Sequence, residues 1–184
     1  CQTTFTDTVS EPDTISNFFT KADVSCNGGN DGYLVANPDG GTPGYSYSWN
    51  TGATTDSIGG LAIGQYTVTV TDANGCQEIF MDSISQPDSL IASIILEDSA
   101  LCAGDSSGMA VAMATGGTSP YTYSWPTGFT ANNDTLSGLP AGTYMVTITD
   151  DNGCVDSALA TISQPAVIAL TIDSSVDVTC ENGN

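Results

Sequence analysis

Side chains able to do chemistry are unevenly supplied in this 184-residue chain, where 21 Asp and Glu and six Cys stand against one Lys or Arg and no His. Acid–base catalysis therefore falls to carboxylates alone, as in glycoside hydrolysis. The carboxylates sit in turn-like stretches with no sign of a cleft between them, so no enzyme is expected. A net charge of −20 repels nucleic acid and anionic lipid headgroups, and Lys21 by itself cannot neutralise a run of phosphates. Oxygen-rich, glycine-bearing segments suit a hard cation, which makes Asn27, Asn30, Asp31, Asp72, Asn74, Asp150, Asp151 and Asn152 candidate calcium ligands. The competing reading is turn chemistry, because Asp and Asn form turns by bonding nearby backbone. No cofactor other than calcium is implied.

The elements that position these residues come in duplicate. Cys26 recurs as Cys102 and Cys180, and Cys76 recurs as Cys154. Gly40-Gly41-Thr42 returns as Gly116-Gly117-Thr118, and Tyr45-Ser46-Tyr47-Ser48-Trp49 as Tyr121-Thr122-Tyr123-Ser124-Trp125. Ile84-Ser85-Gln86-Pro87 returns unchanged as Ile162-Ser163-Gln164-Pro165. The second copy has two extra residues, placed between Trp125 and Leu139. It also weakens the calcium reading, since its first loop retains only Asp105. The expected organisation is residues 1–12 as the last strand of a preceding repeat, 13–87 and 88–165 as two complete repeats, and 166–184 as the start of another.

Each copy reads as strands. Tyr66, Val68 and Val70 alternate with Thr, as do Tyr144, Val146 and Ile148, which is the two-residue period of a half-buried strand. Asn74-Gly75 and Asn152-Gly153 lie between alternating runs and predict two-residue hairpin turns with both positions at positive φ. Ser, Thr, Asn, Asp and Gly disfavour helix. Six or seven short strands per copy predict an all-β chain of tandem immunoglobulin-like β-sandwiches. No apolar run is long enough to span a bilayer as a helix.

The ordered string Cys-x-Gly-x-x-x-Gly, Gly-Gly-Thr, Tyr-x-Tyr-x-Trp, Leu-x-x-Gly-x-Tyr-x-Val and Asn-Gly-Cys, running from Cys26 to Pro87 and again from Cys102 to Pro165, resembles the SprB repeat. Ala103 in place of Asn27 and the Gly44 interruption are its departures. The resemblance implies an extracellular, cell-surface array of sandwiches in a giant adhesin of gliding Bacteroidetes, working in attachment or gliding motility. Its partners would be neighbouring repeats and identical chains in a filament, without membrane insertion. Within that class two functions stand: a structural spacer or assembly unit, and a module that grips carbohydrate or surface polymer through Tyr45, Tyr47, Trp49 and their counterparts. Alternation with Ser turns these aromatics inward, which favours the spacer.

Cysteines at fixed repeat positions in a secreted chain argue for disulfides. Three wirings are open. The favoured one pairs within a repeat, Cys26–Cys76 and Cys102–Cys154, leaving Cys1 and Cys180 for neighbours. Head-to-tail stacking would instead join Cys26 to Cys154, and consecutive pairing would give Cys1–Cys26, Cys76–Cys102 and Cys154–Cys180. Finally, eight Asp residues precede a hydroxyl and then an apolar residue, with the hydroxyls at Thr8, Thr14, Ser57, Ser83, Ser89, Ser99, Thr135 and Ser157. This pattern resembles the O-glycosylation signal of exported Bacteroidetes proteins. Against it stands the simpler reading that Asp-Ser and Asp-Thr mark strand edges.

Overall fold

A computed structural model describes residues 2–7, 11–126 and 133–171. Cys1, Thr8 and Cys180 lie outside the described residues. The described residues form strands and turns, with no helix. In chain order the strands are β1 Ser16–Ala22, β2 Gly32–Asp39, β3 Ser46–Trp49, β4 Ser57–Leu61, β5 Gly64–Thr71 and β6 Gln77–Ile84. The second copy supplies β7 Ile91–Asp98, β8 Gly108–Thr115, β9 Thr122–Ser124, β10 Thr135–Leu139, β11 Gly142–Thr149 and β12 Val155–Ile162.

The sheets have the orders β1-β2-β4 and β3-β5-β6, repeated as β7-β8-β10 and β9-β11-β12. That is strand order A-B-E against C-F-G, the immunoglobulin-like arrangement with strand D missing. The described residues therefore carry two copies of an immunoglobulin-like strand order, as the alternating patterns predict. Two hallmarks of the fold recur. Trp49, the last residue of strand C, and Trp125, just past the end of strand C in the second copy, are 3% and 7% exposed. The strand-F tyrosines close tyrosine corners, Tyr66 Oη donating to Ala62 O at 2.9 Å and Tyr144 Oη to Pro140 O at 2.8 Å.

Side-chain alternation decides what is buried. On β2 it is Gly32, Leu34 and Ala36 that face inward, a choice the residue types alone leave open. Leu34 and Ala36 join Trp49, Ile58, Leu61, Val68, Val70 and Ile84 in one core drawn from both sheets of the first copy. In an antibody domain a disulfide ties strands B and F across such a core; here the inward positions of β2 and β5 carry aliphatic side chains. At the matching β8 positions of the second copy stand Gly108, Ala110 and Ala112, all buried.

The hairpin turn departs from expectation. Thr71 pairs with Gln77, so the loop is five residues, Asp72 to Cys76, and among them only Gly75 has positive φ. Gly75 N donates to Asp72 O at 3.0 Å, which makes it a turn with Asp first and Gly fourth. The Asp in front of Asn-Gly, rather than Asn-Gly itself, sets the geometry. The Gly-Gly-Thr motif has a steric origin. Gly40 and Gly116 adopt φ of 78° and 69°, and a Cβ at either would overlap the carbonyl oxygen of Thr14 or Ser89.

By proximity the chain divides into two compact units. One comprises Cys1–Ala92, Ala114–Thr122 and Thr147–Ser157, and the other Ser93–Met113, Tyr123–Val146 and Ala158–Asn184. The first unit thus holds β1–β6 together with the turn between β11 and β12.

Candidate functional site

The hairpin loops are organised by buried carboxylates. Asp72 is 4% exposed, and its Oδ2 accepts the Thr42 N–H at 2.9 Å while Oδ1 accepts those of Asn74 and Cys76 at 2.9 and 2.8 Å. Asp150 repeats this with Thr118, Asn152 and Cys154 at 2.9, 3.0 and 2.8 Å. The Thr42 amide, with those of Cys76 and Asn74, holds the Asp72 carboxyl below the usual carboxylate range. Each carboxylate thereby fixes the backbone that presents the next cysteine.

The loop before β2 is built differently. Asp31 accepts the Ser25 hydroxyl and the Ser25 N–H, and these bonds hold its carboxyl below the usual range. In the second copy Ser107 Oγ takes over, accepting Leu101 N at 2.9 Å. Gln86 Oε1 accepts Gly28 N at 2.9 Å, and Gln164 Oε1 accepts Gly104 N at the same distance. Val24 N donates to Ser85 O and Ala100 N to Ser163 O. The unchanged Ile-Ser-Gln-Pro motif is therefore the clamp on the first cysteine loop, a role its letter-for-letter repetition signals without defining.

The candidate calcium ligands are thus drawn into turns. Asp31, Asp72 and Asp150 are turned to N–H and O–H donors, Asn27 Nδ2 donates to Pro87 O at 2.9 Å, and Asn74 Nδ2 donates to Thr42 Oγ1 at 2.8 Å. Asn30 and Asp151 are exposed. Among the described residues no three His, Cys, Asp or Glu group closely enough to hold a metal.

These loops converge on a covalent bond. Cys26 is joined to Cys154, with Cα atoms 5.7 Å apart across a sequence separation of 128 residues. Asn152 Nδ2 donates to Ser25 O at 2.9 Å alongside it and to Thr118 Oγ1 at 3.1 Å. This corrects the favoured pairing within a repeat: Cys26 is bonded to Cys154 rather than to Cys76, and Cys102 is not bonded to Cys154. The reason is strand length. Cys76 precedes β6, whereas the Cys26 loop is tied to Ser85, just past its other end. Eight extended residues span about 25 Å, several times the reach of a disulfide. Cys76 and Cys102 are exposed thiols.

The aromatic residues are occupied with the core. Trp49 Nε1 donates to Thr55 O at 2.8 Å, and Trp125 Nε1 to Asn133 O at 3.0 Å. That reach of six residues in one copy and eight in the other narrows the two-residue insertion to the stretch between Trp125 and Asn133. Tyr45 Oη bonds Gly40 O, and Tyr121 Oη bonds Gly116 O. Burial raises the Tyr47 phenol above its ordinary value, helped by the Asp56 charge. Of the described Asp-hydroxyl-apolar triplets, those ending in Ile15, Ile58, Ile84, Leu90, Ala100 and Leu136 have a buried third residue. Thr14, Ser57, Ser83, Ser89, Ser99 and Ser157 are exposed, and Thr135 is half-buried. The third residue faces the core in most triplets while most of the hydroxyls are exposed.

Both copies match the SprB repeat, at residues 19–54 and 98–130. These stretches take in the first cysteine loop and strands B and C, and stop short of the strand-F and Asn-Gly-Cys half that the sequence resemblance also covers. The match supports a repeat segment of a cell-surface adhesin. No curated protein matches. Solved structures do: the C-terminal 282-residue fragment of intimin in complex with the intimin-binding domain of the translocated intimin receptor is 11% identical, with a TM-score of 0.40, over 81% of this chain and 64% of that one. The N-terminal eight Ig domains of Down Syndrome Cell Adhesion Molecule are 17% identical (TM-score 0.37) over 84% of this chain and 25% of that one. Domains 4–9 of the surface layer protein SbsC are 11% identical (TM-score 0.32) over 88% and 32%. The fold assignment rests on strand order and the buried tryptophans, not on these likenesses.

Proposed function

We propose that this chain is a spacer and assembly segment of a large extracellular adhesin, non-enzymatic, serving attachment or gliding in an exported Bacteroidetes surface protein, and built to carry tension. The observation that carries this reading is the Cys26–Cys154 bond. Force entering before Cys26 and leaving after Cys154 passes through the disulfide and bypasses the 128-residue separation between them, which contains most of both copies. Hydrogen-bonded strands give way under load long before a covalent bond does. Single-molecule stretching of the chain between its termini tests this. Reduction should add about 440 Å of releasable length, at roughly 3.5 Å for each of the 128 shielded residues. Equal lengths before and after reduction would remove the reading.

The alternative, a carbohydrate- or polymer-binding module, loses its main platform because both tryptophans are buried. Two further sequence expectations accompany the proposal. Glycans at Thr8, Thr14, Ser57, Ser83, Ser89, Ser99, Thr135 and Ser157 would solvate a chain of which only 12% is charged and would blunt its strand edges. Intact-mass measurement on protein from its native host tests them, and the bare polypeptide mass would exclude them. Calcium at the loops is tested by calorimetry on chelator-treated protein, where absence of heat on Ca²⁺ addition would exclude it.

A further inference from the structure

Asn-Gly pairs begin at Asn27, Asn74, Asn152 and Asn182, and the last of them lies outside the described residues. Asn followed by Gly is especially prone to deamidation, because no side chain on the glycine hinders attack of its backbone nitrogen on the asparagine amide carbon. The attack needs two freedoms: the glycine N–H must be released, and the asparagine side chain must swing round to meet it. The turns around the three described pairs withhold both. Gly28 N donates to Gln86 Oε1, Gly75 N to Asp72 O and Gly153 N to Asp150 O, at 2.9, 3.0 and 3.1 Å. Asn27 Nδ2 is held by Pro87 O at 2.9 Å, and Asn74 Nδ2 by Thr42 Oγ1 at 2.8 Å.

Asn152 differs in what holds it. Its Nδ2 donates to Thr118 Oγ1 at 3.1 Å, as that of Asn74 does to Thr42, and also to Ser25 O at 2.9 Å. Ser25 is 127 residues away along the chain and is kept there by the Cys26–Cys154 bond next to it. Among the described residues Asn74 Nδ2 has the Thr42 bond alone. The two turns are otherwise alike, with φ of 85° at Gly75 and 84° at Gly153. Water reaches both: Asn74, Gly75, Asn152 and Gly153 are exposed, and a Cβ at either glycine would meet nothing within 4 Å. One bond that depends on the junction therefore separates them.

We propose that Asn152-Gly153 is a deamidation site kept closed by the Cys26–Cys154 junction, and that loss of the disulfide opens it to an irreversible conversion. With the Ser25 loop released, Asn152 keeps only the Thr118 bond. Gly153 N gives its proton to solvent base and bonds to Asn152 Cγ; the Cγ–Nδ2 bond breaks, and Nδ2 leaves as ammonia after taking a proton from water. Water then opens the succinimide ring, adding hydroxyl to one of its two carbonyl carbons and a proton to Gly153 N. Opening at Cγ gives Asp, and opening at the backbone carbonyl gives isoaspartate. The net step consumes one water and releases one ammonia, with nothing oxidised or reduced. The product carboxylate cannot donate to Ser25 O, and it adds a negative charge beside Asp150 and Asp151. The converted turn therefore recloses the junction less readily. The inference goes beyond the spacer reading and does not rest on it, because no force enters the step or its test.

The experiment follows deamidation of the full-length chain at mildly alkaline pH by peptide mapping and mass spectrometry. Each rate is divided by that of the same site in reduced, urea-unfolded protein, which removes the effect of sequence neighbours. In the oxidised protein Asn152 should react roughly two- to tenfold more slowly than Asn74, the effect of one added hydrogen bond. After phosphine reduction, or in Cys26→Ser, Asn152 should rise to the Asn74 rate while Asn74 and Asn27 stay unchanged. Asn152→Asp, which carries the product carboxylate from the start, should shift the equilibrium of the Cys26–Cys154 bond with glutathione roughly two- to tenfold toward the thiols. Equal rates at Asn152 and Asn74 in the oxidised protein, or an Asn152 rate unmoved by reduction, would overturn the proposal. So would a rise of Asn152 all the way to the urea rate, which means unfolding rather than release, or an Asn152→Asp variant that reoxidises like the wild type.

Discussion

Asp72 and Asp150, two of the candidate calcium ligands, each accept three backbone N–H groups. Oxygen-rich composition specifies only that something positive or hydrogen-bearing will be bound, and here three amide N–H groups are bound, those of Asn74 and Cys76 in the same turn and that of Thr42 in the Gly-Gly-Thr loop. The lowered pKa of Asp72 fixes the sign of its pH dependence. A carboxyl depressed in the folded state contributes stability above its unfolded value of about 3.9, and that contribution is lost as pH falls through the lower folded value. Asp72→Ala should therefore lower the melting temperature at pH 7, and the gap from wild type should shrink as pH falls below about 4. Thermal melts by circular dichroism at pH 7, 5 and 3 check this, and a gap independent of pH would show that the charge is irrelevant. The motif glycines act at the same scale. Gly40→Ala places a methyl group against the Thr14 carbonyl at positive φ, whereas Gly75→Ala meets nothing within 4 Å. The first should therefore be the more destabilising of the two in denaturant melts.

At the scale of the element, strand patterns were the most legible feature. Period-two alternation in Tyr66-Thr67-Val68-Thr69-Val70 named the inward face of β5 correctly, with Val68 and Val70 fully buried. The inward turn of Trp49 followed from the same rule. The face of β2 was not legible, because Gly32-Tyr33-Leu34-Val35-Ala36 is apolar on both sides and only packing against Ile58 and Ile84 chooses between them. Turn type was misread, since Asn-Gly signals a tight hairpin only when no preceding Asp claims the loop. Leu34→Ala should cost about 2–5 kcal/mol, the range for emptying a fully buried leucine site. Tyr33→Ala, on the exposed side of the same strand, should cost much less; chemical denaturation of the pair tests the assigned face.

For the whole molecule, the repeat frame was legible and the wiring was not. Residue spacing shows that cysteines recur, but which ones meet depends on which end of a sandwich each loop occupies. We propose 13–87 and 88–165 as the folding modules, and the compact units show why that is not self-evident: the turn between β11 and β12 groups with the first copy. Removing the bridge by Cys26→Ser with Cys154→Ser should lower stability by about 2–4 kcal/mol, as for other long-range disulfides, with each copy keeping its strands. The most direct measurement is a peptide map of the alkylated, unreduced protein. It should return a Cys26–Cys154 cross-linked peptide with Cys76 and Cys102 alkylated. A Cys26–Cys76 or Cys102–Cys154 peptide would contradict the account.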